Sequence, residues 1–539
     1  MAAEEALTCA LLSGPPAPAD VLPLEDVVRP FAAGGRGIAL LADDDRLELS
    51  YRELAERAAS AAVVLRRHGV TSGSLVAMTV ANDLPSILSL LGTWFAGGTV
   101  VSLPPVPRND QGWYARQFRA VLDAMGCVHL VADEDLATRF ADFIHIRKTA
   151  LADGERGLSV TPEAAVPATA LIQFTSGSVG TPKGVAIGRH ALAGHVAAII
   201  AAGGYREDTD RIVSWLPLYH DMGLVAMFLT ALAARVDQVL AKPTSIATRP
   251  ASWLMTLARE GATATAAPNF AYRLAAAVPY PAGLDLSRLR ICISGGERAD
   301  WQTLRDFHAA AAPMGLDWGA LMPSYGMAEG VVGLTYTPVG RGPLHGPGGH
   351  VSVGAPFRGV EVRVAAGLAP QPIEIRGDWL FSGYHTAAGF ESVTAGEWFD
   401  TGDAGFASDG ELYVLGRRNE VLTAGGRNVF AEDVESVAHD VCGKRVQVCA
   451  AFRNPAVDGR FGLVAEANPR LVRGVDAAVE IARLIQTSVN DMLGTRLTPV
   501  LVARLGTIPR TTSGKVQRAQ CRSLYGTGEI TRRLIAELT

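Results

Sequence analysis

The sequence predicts an α/β protein: a large N-terminal α/β domain with parallel sheets, then a small C-terminal α/β domain. Three observations carry this. Short apolar runs of strand length alternate with helix-period segments as far as Ile187. From about Gly359 the texture changes to short, Gly-punctuated segments that read as antiparallel strands. After Gly416 a strand–helix–strand unit begins again on a smaller scale. The chain has 539 residues, too many for one compact unit at ~100–200 residues per domain. The division is expected at 417/418, giving domains 1–417 and 418–539.

The elements follow in order. Leu49–His68 has helical spacing, with Leu54, Ala58, Ala61 and Leu65 on one face. Ser74–Val80 reads as a buried strand, Leu84–Phe95 as an apolar helix and Thr99–Leu103 as a strand. Val128–Val131, Ala170–Phe174 and Val185–Ile187 continue the βαβ rhythm of a parallel sheet. The segments GVEVRV, PIEIRG, WLFSGY, EWFDTGD and ELYVLG read as antiparallel strands. In the last part, VQVCAAF and PVLVARL read as strands flanking the helix VDAAVEIARLIQTSVNDML.

Composition narrows the function. Hydrophobic residues make up 48% and charged residues 19%, a globular balance with ample core material. Net charge is −5, and no basic stretch suggests nucleic acid. The six cysteines form no CxxC pair, so neither a zinc nor a dithiol site is indicated. Scattered thiols suit a reducing, cytoplasmic setting. Glu4 and Glu5 stand where a signal peptide would carry basic residues, so no export signal is expected. The apolar stretches Ala193–Ala202 and Leu224–Ala234 are too short to span a bilayer and are expected as core helices. Only five of the 49 basic residues are lysine. Lys183 and Lys515, two of those five, lie in the motifs below, where a compact ammonium differs from a planar fork.

The sharpest motif is Gln173–Val185, QFTSGSVGTPKGV, which follows an apolar strand. Thr175, Ser176, Ser178 and Thr181 supply hydroxyls, Gly177, Gly180 and Gly184 permit close backbone approach, and Lys183 supplies a point charge. Such a loop can aim N–H groups at phosphate oxygens. It is not a Walker A loop, because GK[ST] is absent. Four further segments accompany it: Gly295–Gly296–Glu297 after LRICIS, SYGMAE at Ser324–Glu329, WFDTGD at Trp398–Asp403, and IPRTTSGKVQR at Ile508–Arg518.

Together these motifs resemble those of adenylate-forming enzymes: acyl-CoA synthetases, luciferases, fatty acyl-AMP ligases and peptide-synthetase adenylation domains. The resemblance runs from about Leu49 to Arg518. It implies ATP-dependent activation of a carboxylic acid to an acyl-adenylate, with pyrophosphate released. It implies that Thr175, Ser176, Gly177, Ser178, Gly180 and Lys183 hold phosphates. Gly295, Gly296 and Glu297 would line the adenine and acyl sites with Ser324, Tyr325, Gly326 and Met327, Tyr325 packing on adenine. Glu329 would bind Mg²⁺, a sensible place for a carboxylate near phosphates. Asp403 and Arg417 would hold the ribose, and Lys515 would bridge the acyl carboxylate and α-phosphate as catalytic residue.

The segments WLPLYHDMGL (Trp215–Leu224), APNFAYRL (Ala267–Leu274) and RPASWL (Arg249–Leu254) are similar to the fatty acyl-AMP ligase-like branch. That implies an acyl pocket near His220, Met222, Asn269, Phe270, Gly296 and Gly330, with His220 between nucleotide and acyl sites and counted as catalytic with Lys515 and Glu329. It implies a fatty or other largely apolar acid. The acceptor expected is a thiol, CoA ahead of the phosphopantetheine of an acyl carrier protein. The short Gly330–Val353 connection leaves little room for the insertion that hinders use of CoA in that branch, and the resemblance implies a mobile C-terminal domain with Asn419 at the hinge position. Departures are Val179 and Ala328, where relatives mostly have threonine. Two other readings stand beside this one: a stand-alone amino-acid adenylating enzyme with Asp221 facing an amino group, or a non-catalytic ATP-binding regulator of the same fold. Retention of Lys515, Glu329 and Asp403 together speaks against the regulator.

Overall fold

The computed structural model describes residues 9–17, 23–24, 36–42, 45–104, 111–152, 168–174, 182–365, 370–424, 427–457, 459–510 and 515–538. Five sheets and their helices make up the described chain.

Two large sheets form the base. In the eight-stranded one, Thr99–Leu103, Leu75–Thr79, His129–Ala132, Ile144–Arg147 and Thr169–Phe174 run parallel. The strands TVVSL and HLVA are buried along their whole length, as parallel strands covered on both faces must be. One expectation is corrected here. The segment around Val185–Ile187 is not a further parallel strand: Gly184–Gly188 pairs antiparallel with Thr169–Phe174. Only the phosphate-loop segment and a few flanking residues separate the two strands, too short a link for the crossover that a parallel pair requires. Gly383–Thr386 and Gly389–Ser392 extend the sheet beyond it.

The nine-stranded sheet has a parallel centre of Leu321–Tyr325, Ile291–Ser294, Ala264–Ala267, Arg211–Ser214, Asp237–Ala241 and Gly37–Ala42. Helices fill the faces of both sheets. Tyr51–Arg67 opens with a capping box between Ser50 and Glu53 and buries Leu54, Ala58, Ala61 and Leu65, the face its spacing predicts. Leu84–Phe95 is the apolar helix expected, capped by Asp83. Arg189–Gly203 is a core helix.

A five-stranded antiparallel sheet joins Cys9–Ser13 to Val360–Ala365, Gln371–Gly377, Phe399–Ser408 and Glu411–Arg417. Of the segments read as antiparallel strands, WLFSGY differs. A turn at Asp378–Trp379 and irregular chain through Ser382 come first, and the strand starts only at Gly383. The buried Trp379 ring explains this: it packs against Gly194 of the Arg189–Gly203 helix, where an added Cβ would lie 2.4 Å from the indole.

After Arg417 comes a 3₁₀ turn, Arg418–Glu420. Beyond it a four-stranded sheet of Val446–Arg453, Phe461–Ala467, Val500–Ala503 and Leu534–Leu538 packs with helices Ala431–Cys442, Gly474–Leu493 and Arg518–Gly526. Its buried apolar residues form their own clusters, separate from the main core. Phe430 is the exception, joining Ala404, Phe406, Tyr413 and Leu415.

Candidate active site

The carboxyl ends of four adjacent parallel strands open into one cleft. Arg211–Ser214 leads to His220, Asp221 and Met222. Ala264–Ala267 leads to Asn269 and Phe270. Ile291–Ser294 leads to Gly295, Gly296 and Glu297, and Leu321–Tyr325 leads to Gly326 and Met327. Ligand sites of open α/β sheets form at such strand ends. The cleft has a volume of about 3150 Å³ and reaches from these loops to the 3₁₀ turn and to Lys515.

Among predicted residues lining it are Ser324, Tyr325, Glu329, Asp403, Arg417, Asn419 and Lys515, with all those just named. Lys515 comes from far along the chain. It lies beside Gly296: a Cβ built there would be 3.6 Å from the Lys515 Nζ, an ordinary contact distance, and the φ of +79° is what calls for glycine. Thr175, Ser176, Gly177, Ser178 and Gly180 lie outside the described residues. Lys183 emerges next to them, with its Nζ 5.1 Å from the centre of the Tyr384 ring.

Tyr384 also donates its hydroxyl to Glu329 Oε1 at 2.7 Å. One aromatic side chain thus links the phosphate-loop lysine to the candidate metal carboxylate. Nothing in a single sequence ties Tyr384 to Glu329; the pairing depends on the Gly383–Thr386 strand lying beside Gly184–Gly188. Across the cleft, the Asp403 carboxylate accepts from the Tyr325 hydroxyl at 2.6 Å and pairs with Arg417 Nε at 3.0 Å. Burial raises the Asp403 carboxyl above its ordinary value, against the pull of Arg417 and Tyr325. Each oxygen keeps capacity for a second donor, as two ribose hydroxyls would require.

At the acyl end, His220 Nδ1 contacts Asp221. Burial acts to raise the Asp221 carboxyl, but His220 and Lys515 hold it below its usual range. Asp221 also accepts the Met222 N–H at 2.6 Å, opening a π-helical turn over Met222–Leu229. Such turns recur at functional sites. Glu297 is committed locally: Oε2 accepts the Phe270 N–H at 2.9 Å, and burial raises its carboxyl. Asn269 accepts the Asp300 N–H at 3.3 Å.

One predicted pocket residue is misplaced. Gly330 is buried beneath Leu334, where an added Cβ would lie 2.6 Å from a methyl carbon, and it does not line the cleft. The 3₁₀ turn Ala328–Gly330 directs Glu329 inward and Gly330 into the core. Val332 and Gly333 reach the cleft in its place. Residues that sequence reading did not select are Tyr384, Arg298 and Arg518. The last stands within IPRTTSGKVQR but carries no signal of its own there.

No group of three or more His, Cys, Asp or Glu capable of holding a metal occurs among the described residues. Glu329 is a single carboxylate with one oxygen engaged by Tyr384. That suits Mg²⁺, which is commonly bound by one or two carboxylates plus substrate phosphates. No described helix is long and apolar enough to cross a membrane.

A sheet-end cleft lined by Glu329, by Asp403 paired with Arg417 and by Lys515, with Lys183 over Tyr384 at its edge, carries the groups that an adenylating ligase needs. Comparison agrees: the AMP-binding enzyme family model matches residues 32–390. The chain belongs to this family, the adenylate-forming superfamily, and its activity is ATP-dependent activation of a carboxylic acid. It is 32% identical over 415 residues to the long-chain-fatty-acid–AMP ligase FadD23 of Mycobacterium tuberculosis, the match covering 68% of this chain and 70% of the relative. It is 28% identical to a fatty-acid–CoA ligase of that organism, fadD25, over 90% of this chain and 93% of the relative. Among solved structures, fatty acyl-adenylate ligases from E. coli and L. pneumophila superpose with a TM-score of 0.81 at 23% identity, covering 95% of this chain and 99% of the other.

Proposed function

We propose that this enzyme activates a fatty or other largely apolar acid as its acyl-AMP and then passes the acyl group to a thiol, CoA ahead of a carrier-protein phosphopantetheine. The observation that carries the adenylation chemistry is the placement of Lys515 beside Gly296, in one cleft with Glu329 and Asp403. Attack of a carboxylate on the α-phosphate brings two anions together. The Lys515 ammonium between them stabilises the charge that develops. Asp403 and Arg417 would hold the ribose, and Tyr325 would pack on adenine. Lys183 and the 175–181 loop would hold the phosphates that leave as pyrophosphate. Mg²⁺ bound at Glu329 would neutralise phosphate charge, and Tyr384 would orient that carboxylate.

The apolar lining from Ile199, Ala226, Ile291, Ile293 and Met322 supports a largely apolar acid. Asp221 is paired with His220, which speaks against its serving as the partner of a substrate ammonium. We divide the chain at 417/418 and take Asn419 as the hinge, because the apolar clusters of the last part are nearly separate. Relatives named as AMP ligases and as CoA ligases match at similar identity, so the acceptor rests on the short Gly330–Val353 connection.

The test is acid-dependent ATP–pyrophosphate exchange across a panel of fatty, aryl and amino acids. Exchange that requires Mg²⁺ and is strongest with apolar acids is expected. Release of orthophosphate in place of pyrophosphate, or a preference for amino acids, defeats the reading.

A further inference from the structure

The Arg298 side chain touches both sides of the proposed hinge. Its Nη1 donates to the Leu415 carbonyl at 3.0 Å, just before the 3₁₀ turn that holds Asn419. The same nitrogen donates to Asp433 Oδ1 at 2.6 Å, on the first turn of the Ala431–Cys442 helix. Both side chains are largely buried, at 17% and 18% exposure. Asp433 is itself fixed, since its Oδ2 accepts the Phe430 N–H at 2.9 Å.

One turn further along that helix, Ser436 Oγ donates to Asp300 Oδ2 at 3.2 Å. Asp300 in turn caps the Trp301–Ala311 helix through the Thr303 N–H at 2.7 Å. Positions three apart share a helix face. Asp433 and Ser436 therefore grip one short segment, 298–300, which directly follows Gly295–Gly296–Glu297. The same helix also holds Lys515 in place. Glu435 takes the Arg518 guanidinium bidentately, at 2.7 Å to each oxygen, three residues after Lys515.

We propose that Arg298 is a latch, a positioning residue that selects the arrangement in which Lys515 lies beside Gly296 and so favours adenylation over the second half-reaction. The inference rests on the reading of residues 418–539 as a part that turns about Asn419. A turn there leaves the Leu415 contact intact, because both groups belong to the same side. It must break the Asp433 and Ser436 contacts. Arg298 keeps the Leu415 carbonyl as acceptor, so release costs two charge-assisted bonds, Arg298–Asp433 and Ser436–Asp300, and leaves the guanidinium with a hydrogen-bond partner. A latch of this kind is weak enough to open and strong enough to bias the two arrangements.

The full-length chain tests this with Arg298→Ala, Asp433→Asn and Ser436→Ala. Two rates are read: ATP–pyrophosphate exchange, and consumption of presynthesised acyl-AMP by CoA. Spin labels on Met255→Cys and Met492→Cys, both exposed positions, report the distance between the two parts. For Arg298→Ala the ratio of exchange to acyl-AMP consumption is expected to fall roughly tenfold, with KM for ATP little changed and the distance distribution broadened. Asp433→Asn, which leaves Arg298 and its Leu415 contact in place, shifts both readouts in the same direction, and Ser436→Ala does so more weakly. Equal loss in both rates with an unmoved distance distribution overturns the latch and leaves Arg298 a structural residue. A wild-type enzyme that shows exchange but takes no CoA defeats the acceptor reading alone. The distance distribution then decides the latch: unchanged in Arg298→Ala, it is overturned. Absence of exchange in the wild type defeats the adenylation reading itself, and with it a latch for that step.

Discussion

A carboxylate and a phosphate repel each other until a cation lies between them, and Lys515 is the cation proposed for that task. Its charge already lowers the Asp221 carboxyl in the cleft. Lys515→Ala is expected to cut exchange roughly 10²–10³-fold, as loss of one transition-state donor does, while AMP binding measured by calorimetry stays near wild type. Exchange at the wild-type rate would remove Lys515 from the chemistry. A second residue predicts a pH effect. His195 is buried, accepts the Gly333 N–H at 3.3 Å and is pushed down to about 4 by burial, with Asp221 opposing. The unfolded chain takes up this proton near 6.5 and the native one near 4. Stability from His195 is therefore complete above about 6.5 and is lost as pH falls toward 4, by up to roughly 3 kcal/mol. Thermal unfolding from pH 7.5 to 4.5 should show that decline, and His195→Gln should flatten the difference. Parallel curves for the two proteins would discount it. Lys515 was legible in the sequence because a short motif surrounds it. His195 was not, because its burial is made by Gly333 and Phe357 from distant segments.

At the scale of elements, one largely buried guanidinium ties three segments of the last part together. Arg518, first residue of the Arg518–Gly526 helix, pairs with Glu420 at 2.7 Å, Glu432 at 2.8 Å and Glu435. These three glutamates come from the 3₁₀ turn and from the Ala431–Cys442 helix. Burial raises the Glu420 carboxyl, and Arg518 opposes the rise. Arg518→Met leaves three carboxylates without their cation and should cost about 3–5 kcal/mol, the usual toll for breaking a buried pair. Urea unfolding followed at the far-UV band would show it. Arg518→Lys should recover little, since an ammonium cannot span the fork. Adding Glu420→Gln and Glu432→Gln to Arg518→Met should recover part of the loss; no recovery would mean that packing, not charge, carries the effect. Helices and parallel strands were legible because each buries a periodic local pattern, as Tyr51–Arg67 and Leu84–Phe95 do. The pairing of Cys9–Ser13 with Val360–Ala365 and the reversal at Gly184–Gly188 were not. Those features are set by what lies alongside in space, and a strand reads alike in either direction.

For the whole molecule, the question is whether the adenylating arrangement can give way to one that admits a thiol. Among the described residues, the contacts that would have to part include Arg298 with Asp433, Ser436 with Asp300, Lys515 beside Gly296, and Phe430 against Phe406 and Leu415, and most are polar. The rest of the last part packs on itself, through Ile481, Ile485 and Val489 of its long helix and Leu463 and Val500 of its sheet. Turning about Asn419 therefore exposes little apolar surface. The Gly330–Val353 connection is compact, pinned by the short pairing of Thr335–Tyr336 with Leu321–Tyr325 and Ala355–Pro356. Both points predict that acyl-AMP is consumed on the enzyme and not released as an end product. With acid, ATP and Mg²⁺, added CoA should yield acyl-CoA, and a phosphopantetheinylated carrier should accept more slowly. Asn419→Pro, which fixes φ at the hinge, should slow thiol transfer while leaving exchange close to wild type. Both rates falling together would mean that the 3₁₀ turn serves the fold and not the motion. Acyl-AMP accumulating unchanged with either thiol would mean that the enzyme stops after the first half-reaction, and the separation of the two cores would then need another use.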